Sequence, residues 1–98
     1  MKVYIFESAA HPTQVVFAWS IDHAAVIAIS WHHMKGIEPS QFSIQPAWRK
    51  HIPKDQHADV RKALLGEVAG IGEYQEGFGW VITMPLDEAT TPDEGPEL

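Results

Sequence analysis

Six histidines are the side chains in this sequence with the broadest chemistry: His11, His23, His32, His33, His51 and His57. A neutral imidazole binds transition metals, and its pKa lies close enough to neutrality for proton transfer or pH sensing. Their spacing does not assemble them. His32 and His33 are adjacent, so on a helix their rings diverge by about 100°. His23 lies nearly three turns from His33, too far to share one ion without help from another element. His51 and His57 straddle an expected helix start, and no His-Glu-x-x-His pair occurs. A metal site would have to be built in space from several elements, so neither a metal nor another cofactor is expected.

The other catalytic patterns are equally incomplete. Ser20, Asp22 and His23 contain the letters of a hydrolytic triad, but close neighbours in sequence point in different directions, and no Gly-x-Ser-x-Gly elbow is present. Gly70-x-Gly72 and Gly77-x-Gly79 lack the strand–loop–helix setting of a phosphate-binding loop. Glu73, Glu76, Asp87 and Glu88 fall in an expected turn and tail, where solvation opposes the burial that separates a catalytic acid from a base. No cysteine exists, which removes disulfides, thiol chemistry and Cys-based clusters.

The elements that would position these groups follow from apolar periodicity. Val3–Phe6 reads as a first strand, Ser8–Thr13 as a loop, and Gln14–Ser20 as a second strand with Val15, Phe17 and Trp19 on one side. Asp22–Lys35 has helical spacing, with Ala24, Ile27, Ala28, Trp31 and Met34 on one face. Ser20 or Asp22 offers the N-cap and Gly36 the stop. The opposite face is also poor in charge, so this helix calls for cover on more than one side: a second helix, the C-terminal segment or another subunit. Ser40–Gln45 reads as an edge strand between Pro39 and Pro46. Pro53 opens a second helix with Val60, Leu64 and Val68 on one face. Ile71–Met84 reads as a hairpin turning at Glu76-Gly77, with Phe78, Trp80, Ile82 and Met84 facing one way.

The expected fold is therefore α+β: one domain over 1–85, with a mainly antiparallel sheet in the order β-β-α-β-α-β-β and two helices on one face. Residues 86–98, with Pro92, Pro96 and five acids, read as a disordered acidic tail. The longest apolar run carries Asp22 and His23 at its middle and is too short and polar for a membrane span. Val3–Phe6 is too short for a signal peptide. The chain reads as soluble and cytoplasmic.

Charge is distributed unevenly. The formal net charge is −6 and the pI about 5.3. Lys62 is the last basic residue, and beyond it every charged side chain is acidic. Such a field attracts cationic partners and opposes direct nucleic-acid binding. Before it, Trp48, Arg49 and Lys50 combine an aromatic anchor with two cations, the composition of an interface patch. Glu67, Glu73 and Glu76 are the candidate acidic surface, and His32 and His33 border the apolar helix face.

Together these features point to a non-catalytic protein–protein interaction or regulatory module, with self-association through the first helix as one form of it. The alternative is a small acidic inhibitor that imitates nucleic-acid charge on a nucleic-acid-binding protein or nuclease complex. A second alternative is a His-based metal-binding protein or enzyme.

Overall fold

A computed structural model of the chain describes residues 1–8, 11–37, 41–46 and 48–85. The elements are β1 (Lys2–Ser8), β2 (His11–Ala18), α1 (Ile21–Met34), β3 (Phe42–Gln45), α2 (His57–Leu65), β4 (Gly70–Gln75) and β5 (Gly79–Thr83). Two single 3-10 turns, Trp48–Lys50 and Lys54–Gln56, lead into α2. The strands form one sheet in the order β3-β1-β2-β4-β5, and every neighbouring pair is antiparallel. The α+β class and the chain order are those expected. The tail over 86–98 lies outside the described residues.

The placement of both helices on one face is corrected. Tyr4, Phe6, Val16 and Ala18 pack with Ala24, Ile27 and Ala28 of α1. Val3, Ile5 and Phe17 pack on the other side with Trp48, Ile52 and Val60, the last from α2. The helices thus cover opposite faces. The cause lies in β1 and β2 themselves: Val3-Tyr4-Ile5-Phe6 and Val15-Val16-Phe17-Ala18 are apolar at every position, and a strand apolar on both sides needs cover on both sides. Each of the larger buried side chains contributes about 1.5–3 kcal/mol by leaving water.

Local signals act largely as expected at α1. Ser20 is extended (φ −153°), and its hydroxyl accepts from the His23 N–H at 3.1 Å, which satisfies one orphan donor of the first turn. Gly36 ends the helix with φ +71°, the left-handed conformation that glycine adopts without strain. At the end of α2 the left-handed position falls on Glu67 (φ +54°) rather than on Gly66.

Four local expectations change. Pro53 precedes a single 3-10 turn rather than α2, and Val68 lies beyond the end of α2, half exposed, instead of on its face with Val60 and Leu64. β2 begins at His11, inside the stretch read as a loop. The β4–β5 turn is longer than two residues: Gln75 pairs with Gly79, and Phe78 sits in the turn, 83% exposed. Trp19 lies beyond the end of β2 and is half exposed rather than part of the core.

Candidate functional site

The sheet is continuous through its centre and open at one end. The ladder between β2 and β4 consists of Val15↔Gly72, Val16↔Ile71 and Phe17↔Gly70, although β2 runs back to His11 and β4 runs on to Gln75. Glycine allows β4 to sit close to its neighbours on both sides, Gly72 against Phe17 of β2 and Gly70 against Thr83 of β5. A Cβ at Gly72 would stand 2.5 Å from Phe17 Cε1 and 3.2 Å from Trp80 Cε3. A Cβ at Gly70, whose φ is +152°, would stand 2.5 Å from the Thr83 carbonyl oxygen.

Where the ladder stops, a cleft of about 620 Å³ opens. One wall is Pro12–Val15 of β2, and the other is Ile71–Tyr74 of β4. Trp31, Met34 and Lys35, at the C-terminal end of α1, form a third side. Trp80, Thr83 and the buried Pro85 complete it. Register places Ile71 and Glu73 on the α1 face, and Gly72 and Tyr74 on the α2 face, so the opening draws residues from both. The Lys35 ammonium lies 5.8 Å from the Trp31 ring centroid. Two buried polar atoms belong to cleft residues and have no hydrogen-bond partner among the described residues: Gln14 Oε1 and Trp80 Nε1. A buried polar atom left in this state costs about 1–3 kcal/mol. The lining combines aromatic and aliphatic side chains with a few polar groups.

The residues singled out from the sequence do not converge on one surface. Trp48 is 6% exposed within the α2-side core, its ring edge-on to His57 at 4.9 Å. The Arg49 guanidinium stacks over it at 4.5 Å, so Arg49 and Lys50 are exposed while the aromatic between them and the core is not. Trp48 is a lid on a small core. His32 is 1% exposed, donates from Nδ1 to the Ala28 carbonyl oxygen at 2.8 Å, and packs against the rings of Phe6 and Trp31. His33 is exposed on α1.

The acidic trio is divided. Glu73 and Glu76 lie at the hairpin end of β4, whereas Glu67 precedes the strand's start. At about 3.3 Å per residue, the strand puts some 20 Å between Glu76 and the Glu67 end. The acids that gather with Glu76 come from elsewhere. The Tyr74 hydroxyl donates to Asp59 Oδ2 at 3.1 Å, and Asp55 and Glu76 add negative field around it. The bond to Asp59, with desolvation and these charges behind it, raises the Tyr74 pKa above its usual value.

The remaining described histidines do local structural work. His23 Nδ1 accepts from the Trp19 N–H at 3.2 Å, and His57 Nε2 donates to the Ile52 carbonyl oxygen at 2.9 Å. His51 Nδ1 lies 3.9 Å from Glu7 Oε2. Among the described residues, no group of three His, Asp or Glu side chains is placed to hold a metal ion. No described helix is long and apolar enough to cross a membrane.

The cleft escaped sequence reasoning. Its walls are ordinary strand residues, and what creates it is where a ladder stops. One signal was present: the Gly-x-Gly spacing at Gly70 and Gly72 marks close backbone approach inside a strand. No family model matches this chain, and no curated protein and no solved structure matches it significantly.

Proposed function

We propose that this chain is a non-catalytic protein-interaction module that takes its partner in the cleft between β2, β4 and the end of α1. The observation that carries the reading is the cleft itself: a 620 Å³ opening bordered by Trp31 and Met34, with Met34 46% exposed beside it. Val81 and Met84, 37% and 40% exposed, add apolar surface on β5 and just beyond it. Aromatic and methionine side chains at a concave site are the usual anchors of a protein interface.

The outer side of α1 is a second apolar surface. Val26 and Ile29 are 60% and 40% exposed, and α2, on the opposite face of the sheet, does not cover them. Self-association through α1 would use this stripe. The acidic-inhibitor reading has one observation on its side, the gathering of Asp55, Asp59 and Glu76 around Tyr74.

Salt separates these readings. A partner held in an apolar cleft persists at high ionic strength, whereas one held by exposed charge is lost as screening shortens. The test is a pull-down from nuclease-treated lysate of the source organism at low and high salt. Wild type, Met34→Glu, Val26→Glu and Asp55→Asn/Asp59→Asn/Glu76→Gln are compared. A salt-resistant partner lost only in Met34→Glu supports the cleft. Loss only in Val26→Glu moves the interface to the outer side of α1, and a salt-sensitive partner lost in the amide variant supports the acidic surface.

A further inference from the structure

We propose that the cleft is a strand-addition site, which takes an extended segment of a partner protein and pairs with its backbone. This rests on the reading of the cleft as the partner site and adds the conformation of what enters it.

The argument starts from backbone hydrogen bonding. Every strand has two edges. In the stretch of β2 before Val15, one edge is used by β1, through Phe6↔Gln14 and Ser8↔His11. In the stretch of β4 after Gly72, one edge is used by β5, through Glu73↔Val81, Tyr74↔Trp80 and Gln75↔Gly79. The other edge of each stretch faces the cleft, and the β2–β4 ladder does not extend there. Unpaired edges usually sit at the border of a sheet, where they template pairing with another chain. Here two edges with no strand partner among the described residues lie inside the strand order and border one opening. An extended segment presents N–H and C=O groups to both sides, and is the one peptide conformation that can pair with either edge.

The walls define which segment fits. Successive side chains of an entering strand point to opposite faces. On one face they meet Trp31, Met34 and Ile71, and on the other Tyr74 and Trp80. Apart from Lys35 and Glu73 on the first face, both sets are largely apolar, so the favoured segment is a short run rich in β-branched or aromatic residues, rather than an alternating one. Gln14 Oε1 and the Trp80 indole N–H supply one acceptor and one donor that such a segment can satisfy. Pro85 lies in the cleft wall, and the sequence that follows it carries Asp87, Glu88, Asp93, Glu94 and Glu97. That composition is a poor match for these walls, and the occupant is therefore a segment from another protein.

The experiment selects random heptapeptides displayed on phage against the full chain. The enriched peptides are then synthesised, each also in two forms N-methylated at alternate residues, and titrated into isotope-labelled full-length protein by NMR. The expected result is enrichment of short apolar β-branched runs that shift the amides of Thr13, Gln14, Glu73 and Tyr74. Both N-methylated forms should bind at least tenfold more weakly, because each loses the donors to one edge. Equal binding of the N-methylated forms would overturn strand addition while leaving the cleft as the partner site. No enrichment, or shifts confined to the outer side of α1, would overturn both. Hydrogen-exchange protection of the cleft-facing amides in the free protein as strong as that of the Val16–Ile71 ladder would show the chain occupying its own cleft, and would also overturn the proposal.

Discussion

Tyr74 and Asp59 join the last hairpin to the second helix: the phenol on β4 donates a 3.1 Å hydrogen bond to the carboxylate on α2. The contact fixes the side of β4 that closes over the α2 core, and it lies beside the cleft that Tyr74 helps to line. It also makes Tyr74 a reporter of that end of the molecule.

The raised Tyr74 pKa has a consequence for alkaline stability. The folded state holds the phenolic proton more tightly than the unfolded chain, whose tyrosine titrates near 10. Its contribution is therefore complete below about pH 10 and is lost as pH rises through the folded-state value. Denaturant melts of wild type and Tyr74→Phe across the alkaline range should converge as pH rises, and Asp59→Asn should lower the Tyr74 midpoint in a UV titration. An unchanged midpoint would show that Asp59 is not its partner in solution.

Gly72→Ala should destabilise the fold by about 1–3 kcal/mol, the usual cost of forcing a methyl group into a filled core. The Cβ would need space held by Phe17 and Trp80, both part of the α2-side core. Chemical denaturation measures the loss. A neutral result would mean that β2 and β4 approach less closely than the ladder requires.

Trp48 and Arg49 should separate cleanly. Trp48→Ala empties a buried site and should cost about 3–5 kcal/mol. Arg49→Ala removes only an exposed cation stacked on that ring, worth about 0.5–1 kcal/mol. Similar small losses for both would return Trp48 to the surface.

Ser20→Ala removes the hydroxyl that caps α1 and should cost about 0.5–2 kcal/mol, with Ser20→Asp retaining most of the stability. Thermal melts of the pair distinguish a lost cap from a general effect at this position.

Much of this architecture is legible in local chemistry. Ser20 and Gly36 bracket α1 because a hydroxyl acceptor and a residue free to take positive φ are what helix ends require. The opposite placement of the helices was also written in the sequence, in β1 and β2 runs with no polar alternation. The alternation of Val15, Phe17 and Trp19 within Gln14–Ser20 masks it, because that pattern alone suggests a one-sided strand. Trp48 and His32 were less accessible. Their burial depends on what folds against them, Val60 and Ile52 for one and Phe6 for the other, and nothing in a Trp-Arg-Lys or His-His string reports that. The acidic trio is divided for a geometric reason: Glu67 is set apart from Glu73 and Glu76 along an extended strand, while Asp55 and Asp59 act with Glu76 on Tyr74. The cleft was the least legible of all, since it follows from the length of a ladder rather than from residue types.

The most direct test of the central claim is site-specific photo-crosslinking in cells of the source organism. A benzophenone amino acid is placed in turn at Met34 beside the cleft, at Val26 on the outer side of α1, and at Leu65 on α2, all of them exposed positions. A discrete protein adduct from position 34 alone, insensitive to salt, is the predicted result. An adduct from position 26 or 65 with none from 34 would contradict the assignment of the cleft as the partner site.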